Sequence, residues 1–75
     1  MNEYTDIADD AIGKATSLLR NGHDGYAGLA VADAYTRILG PTESLRDRRL
    51  RDDAARGLAA LWSALRAEHK AVAAR

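Results

Sequence analysis

Only two sites in this 75-residue sequence carry strong helix-breaking signals, and they divide the chain into three segments. Asn21-Gly22 suits the left-handed residue that ends a helix, and Gly40-Pro41 combines the two residues that helices tolerate least. Apolar residues recur at helical spacing within the segments. The sequence therefore predicts one all-α domain over residues 1–75, with helices at residues 4–20, 24–39 and 42–74.

The first two segments differ in how their apolar residues are distributed. In the first they form one stripe, which predicts one buried face. The second is apolar on nearly all sides and contains small residues, such as Gly28 and Ala32, that let another backbone approach closely. The connection at residues 21–23 is short enough to force an antiparallel helical hairpin. The predicted N-caps are Asn2 or Thr5, Asp24, and Thr42.

The third segment is too long to match the other two. As a single helix it would span ~50 Å, against ~24 Å for each of the first two helices. Its large apolar residues are concentrated after Gly57, so a straight helix antiparallel to the second would cover the hairpin with its polar half. Either the chain bends near residues 51–57, or the projecting apolar half meets a second subunit. The second alternative is favoured, because so small a chain also needs a partner for stability.

A thin core is the reason for expecting a partner. The chain has sixteen alanines, no phenylalanine, one tryptophan and no cysteine, so disulfides cannot compensate for small buried side chains. We therefore expect a homodimer that forms through a short coiled-coil-like seam, with Trp62 as the first candidate for an interface hot spot. The predicted self-association residues are Leu58, Leu61, Trp62, Leu65 and Val72, with Gly28 and Ala32 on the second helix.

An arginine-rich stretch offers an alternative function. Five arginines within residues 46–56 could contact nucleic-acid phosphates: Arg46, Arg48, Arg49, Arg51 and Arg56. Carboxylates alternate with them at i, i+4 spacing, however, which is typical of a solvated helix face with compensating ion pairs. Nucleic-acid binding is thus the disfavoured alternative.

Net charge is zero overall but unevenly divided along the chain. Residues 1–40 carry six acids and three bases, and residues 41–75 carry five acids and eight bases. This division favours contact between the two regions, within one chain or between two.

The remaining chemistry in the sequence is sparse. His23-Asp24 and Glu68-His69 could each supply metal ligands, but adjacent residues diverge on a helix and no third cluster completes a site. The paired carboxylates Asp9-Asp10 and Asp52-Asp53 also point apart, and neither histidine lies near a serine. We therefore expect no catalytic residues, no metal and no cofactor.

These patterns predict a small, non-enzymatic helical module that binds other proteins as an adaptor, inhibitor or assembly component. No segment approaches the ~18–20 apolar residues of a membrane span, and the N-terminus is acidic where a signal peptide would be basic. A cytoplasmic location and no membrane partner are expected. The preference for arginine over lysine, together with the alanine content, suggests a G+C-rich bacterial or bacteriophage genome.

Overall fold

The computed structural model describes residues 2–42 and 44–74 of the chain. This part is all-helical, as the sequence predicts, and contains no strand. The three helices are α1 (Glu3–Arg20), α2 (Asp24–Ile38) and α3 (Leu45–Ala73).

Side-chain and backbone caps define both ends of α1. The Asn2 side chain accepts a hydrogen bond from the Thr5 amide at 3.0 Å, so Asn2 is the cap and satisfies one of the free amides of the first turn. At the other end, Gly22 has a φ of +78°, and the His23 amide donates to the Leu18 carbonyl at 2.8 Å. This is the hydrogen-bond pattern of a Schellman motif, and it explains why the helix stops at the Asn21-Gly22 signal.

The starts of α2 and α3 differ from the sequence-based expectation. Asp24 is the first residue of α2, and the position before it, His23, makes no capping hydrogen bond through its side chain. Ser44 caps α3 by accepting from the Asp47 amide at 3.2 Å, so α3 begins at Leu45 and Thr42 lies before it.

Alanine dominates the buried residues. Nine hydrophobic side chains are buried in the described chain, and five of them are alanines. Ile38 and Leu58 are the largest that are fully buried. Short side chains let α1 and α2 approach closely, but each removes little apolar area from water. The buried residues are Ala8, Ala11, Ala15 and Leu19 of α1, Ala27, Val31, Ala34 and Ile38 of α2, and Leu58 of α3.

Two polar contacts define how α3 lies along α2. Near the start of α3, Arg51 Nη1 donates to the Gly40 carbonyl at 3.3 Å. Near its end, His69 Nε2 lies 3.5 Å from Asp24 Oδ1. Residues 51–69 of α3 span about 27 Å and so run back along the ~22 Å of α2 from its end to its beginning. The packing of α3 is more extensive against α1 than against α2.

This register corrects the expected position of the polar and apolar halves of α3. The helix is continuous through residues 51–57, yet its apolar half does not project past the other helices. The turns before Arg51 extend beyond the Gly40 contact instead, and Leu58 is fully buried in the core together with residues of α1 and α2. The expectation failed because it placed the start of the third helix level with the end of the second. The molecule measures 47 × 17 × 17 Å, and α3 accounts for most of the long dimension.

A glycine-to-alanine pair tests the continuity of α3. Gly57 is exposed in the middle of the helix, and a Cβ atom there would meet nothing within 4 Å. We expect Gly57→Ala to stabilise the fold by ~0.5–1 kcal/mol, which raises Tm by roughly 4–8 °C per kcal/mol in a domain of this size. Thermal denaturation followed by circular dichroism measures the change.

Gly22→Ala is the matched control for this prediction. Its φ of +78° is unfavourable for any residue with a Cβ, so the same substitution should lower Tm. A loss of stability in Gly57→Ala would contradict a continuous helix and indicate a bend at this position.

Candidate interaction surface

The structure divides the predicted self-association residues of α3 into buried and exposed members. Leu58 is 0% exposed and belongs to the core of a single chain, so it has no surface left for a partner. Trp62 and Leu65 are half-buried and pack against that core. Leu61 and Val72 remain 47% and 59% exposed.

Leu61 and Val72 belong to a row of four side chains along one edge of α3. Leu61, Leu65, Glu68 and Val72 follow one another at spacings of four, three and four residues, which places them on the same side of the helix. Three of them, Leu65, Glu68 and Val72, line a shallow groove beside α1 together with Thr16 and Leu19. We call these four residues of α3 the α1-side edge.

A larger groove runs along the other side of α3, between it and α2. Its volume is about 830 Å³. Trp62 and Tyr35 contribute aromatic surface, and the Arg66 guanidinium lies 5.7 Å from the centre of the Trp62 ring, within cation–π distance. We call this the α2–α3 groove. Its lining residues are Leu19, Asp24, Gly28, Tyr35, Ala59, Trp62, Ser63, Arg66, Ala67, His69, Lys70 and Ala73.

Within the described residues, the two small residues predicted to contact a neighbouring backbone do not do so. A Cβ atom on Gly28 would meet nothing within 4 Å, and Gly28 instead lines the α2–α3 groove. Ala32 is exposed on the outer face of α2. Nearby on the same helix, Tyr26 and Leu29 are also largely exposed.

The ion pairs of the arginine-rich segment differ from the predicted ones. None of the i, i+4 pairs forms within 4.0 Å in the described chain; Arg51 instead contacts the adjacent Asp52 at 3.1 Å, and Arg56 contacts Asp53 at 3.7 Å. The latter pair is exposed and contributes little. No carboxylate among the described residues lies within 4.0 Å of the three preceding exposed arginines, which are Arg46, Arg48 and Arg49.

The candidate metal-ligand pairs are rearranged across two helices. Asp24 and His69 belong to separate pairs in the sequence, but Asp24 Oδ1 lies 3.5 Å from His69 Nε2. The His23 ring instead packs edge-on against the Tyr26 ring, with 6.1 Å between the ring centres. Among the described residues, no group of three or more histidine, cysteine, aspartate or glutamate side chains could hold a metal ion. Asp10 forms an exposed ion pair with Lys14 at 3.2 Å.

The sequence interpretation missed the α2–α3 groove and the two contacts that set the register. Its one available signal was the row of small residues that precede and follow Trp62 on α3, including Ala59, Ser63 and Ala67. Small residues on a helix that also carries a tryptophan leave space beside the large ring. The contacts of Arg51 with a carbonyl and of His69 with Asp24 join distant residues and have no local signature.

Comparison with known proteins gives no match: no family model matches the chain, and no curated protein or solved structure matches it at a significant level. Within the described residues, none of the helices is both long enough and apolar enough to cross a membrane.

The division between core and edge can be tested with two leucines of the same helix. Leu58→Ala removes a fully buried side chain and should cost ~2–5 kcal/mol. That loss is comparable to the ~3–5 kcal/mol that a chain of this size has in total, so the variant should be largely unfolded. Chemical denaturation of the dilute protein measures the free energy of unfolding of this variant and of the control variant described next.

Leu61→Ala, three residues further along α3, is the matched control. Its side chain is about half exposed, and we expect a change below ~1 kcal/mol in the dilute monomer. Equal losses for the two substitutions would contradict the burial pattern described above.

Proposed function

We propose that this protein is a small, non-enzymatic protein–protein interaction module, an antiparallel helical hairpin with a long third helix, that self-associates as a dimer. The α1-side edge is the proposed interface. The observation that supports it is the exposure of Leu61 and Val72 on either side of the half-buried Leu65, in line on one side of α3. A cytoplasmic location is part of the proposal and rests on the sequence alone.

The composition of the core supports a need for further burial. Because five of the nine buried side chains are alanines, one chain removes little apolar area from water for its length. Covering a row of leucine and valine side chains with the same row of a second copy would bury additional area. In a dimer with two-fold symmetry, the α1-side edge of each copy covers the same edge of the other, so one surface patch is enough to form the interface.

An antiparallel pairing of two α3 helices gives this edge a consistent register. With the axis midway between Leu61 and Val72, each Leu61 lies opposite Val72 of the partner, and each Leu65 lies opposite Glu68. The methylenes of Glu68 would cover the facing leucine while its carboxylate stays at the margin. Arg20, which lines the same groove as Glu68, supplies a nearby cation.

Charge substitutions on this edge test the proposed dimer. We expect the wild-type chain to sediment as a dimer at tens of micromolar. A Leu61→Asp, Val72→Asp double variant should be monomeric and still helical, because both side chains are largely exposed in a single chain and their replacement leaves its core intact.

Leu29→Asp is the control for this experiment. Leu29 is 64% exposed on α2, away from the proposed interface, so its replacement should leave the dimer unchanged. A wild-type chain that is monomeric at these concentrations would refute self-association. Loss of the dimer in Leu29→Asp would place the interface on another face.

A second candidate function is nucleic-acid binding by the start of α3. The specific observation in its favour is that Arg46, Arg48 and Arg49 are exposed and have no carboxylate within 4.0 Å in the described chain, although the sequence predicts Asp52 and Asp53 as partners for Arg48 and Arg49. A guanidinium group that has no carboxylate partner can bind a phosphate without first breaking an ion pair.

The second candidate predicts retardation of a duplex DNA probe at low salt. Replacement of Arg46, Arg48 and Arg49 by glutamine should abolish the shift, since phosphate contacts supply most non-specific affinity and are strongest at low ionic strength. Arg20→Gln removes a positive charge from α1 and serves as the control. Absence of a gel shift for the wild-type chain at low salt would exclude this function.

A further inference from the structure

The three helices leave one position of a four-helix arrangement empty. Helix α1 packs against both of the others, whereas α2 and α3 touch each other much less. The space between α2 and α3 is the α2–α3 groove, and a fourth helix placed there would contact both of its walls.

The dimensions of this groove fit a helix of three to four turns. On α2 its lining runs from Asp24 to Tyr35, and on α3 it runs from Ala59 to Ala73. These stretches are about 17 and 21 Å long at the rise of an α-helix. Five of the twelve lining residues are glycine, alanine or serine, so another backbone could approach closely. A volume of about 830 Å³ spread over that length is a trough for an extended partner.

The chemistry of the groove favours an acidic partner. Half-buried Trp62 and Tyr35 offer aromatic surface to apolar side chains. Arg66 and Lys70, both exposed, add two positive charges on the α3 side. The lining contains one carboxylate, that of Asp24, which is directed at His69 at 3.5 Å. Tryptophan and arginine together are the residues most enriched in interface hot spots.

We propose that the α2–α3 groove binds one amphipathic helix of a partner protein, with apolar side chains on Trp62 and Tyr35 and carboxylates at Arg66 and Lys70. This deepens the proposed function and rests on the chain being an interaction module. It uses the other flank of α3 from the self-association edge, and the two grooves meet at Leu19 and His69.

A second copy of this chain is a poorer occupant of the groove. An α3 helix from another copy would bring its own Arg66 and Lys70 against the same two residues, and like charges in contact oppose association. Helix α1 is acidic, but its apolar face is already buried through Ala8, Ala11 and Ala15. An acidic helix of a different protein therefore fits the groove better than α1 or α3 of a second copy.

Two synthetic helical peptides of about 18 residues test the proposal. They share leucines at i, i+4, i+7 and i+11 and differ only in their flanking positions, which are glutamate in one and lysine in the other. Trp62 is the single tryptophan of the chain, so its fluorescence reports directly on the groove. We expect micromolar binding of the glutamate peptide with a blue shift of the emission, and binding of the lysine peptide at least about tenfold weaker.

Three variants connect any binding to this groove. Arg66→Glu with Lys70→Glu should reverse the preference between the two peptides. Gly28→Leu should prevent binding and keep the fold, because a Cβ at residue 28 meets nothing within 4 Å and the larger side chain would project into the groove. Arg48→Glu with Arg49→Glu makes the same charge change outside the groove and should keep the preference for the glutamate peptide.

Several results would overturn the proposal. These are no binding of the glutamate peptide, equal affinity for both peptides, or binding that Gly28→Leu leaves intact. If the wild-type chain is a dimer and the Gly28→Leu variant is a monomer, a second copy occupies the groove. The monomeric Leu61→Asp, Val72→Asp variant should still bind the glutamate peptide, so failure of self-association and failure of the groove are distinguished.

Discussion

The alanine contact between α1 and α2 is the constraint on which the rest of the molecule depends. Ala8, Ala11 and Ala15 on one helix and Ala27 and Ala34 on the other allow close packing of backbones. The same short side chains bury little apolar area, so two such helices contribute a well-defined surface but little stability. The pair buries few large side chains, chiefly Leu19, Val31 and Ile38, and the third helix adds Leu58, which is fully buried.

The position of α3 determines which of its sides remain available. The contact of Arg51 with the Gly40 carbonyl and that of His69 with Asp24 lie on either side of Leu58, and together they mark the lengthwise position of the helix. One row of side chains then faces the core. Leu61 and Val72 are left on one flank, and Arg66 and Lys70 on the other.

Local signals in the sequence predicted the helices, but they could not predict the register. The stop at Gly22 depends on residues within five positions of one another, and the sequence showed it clearly. The sequence predicts Thr42 as the cap and residue 42 as the start of the third helix, whereas Ser44 is the cap in the structure. The lengthwise position of α3, shown by the distant Arg51 contact, leaves Leu58 in the core and not at the expected interface.

The candidate surfaces follow from this shift in a way that periodicity could not reveal. A heptad-like spacing of Leu58, Leu61 and Leu65 suggests one continuous seam, yet a helix beside two neighbours divides such a seam between its core face and its flank. The two flanks also differ in charge: the α1-side edge contains Glu68, and the α2–α3 groove contains Arg66 and Lys70. Because the flanks differ in both shape and charge, one long helix offers different surfaces to the proposed second copy and to the proposed acidic partner.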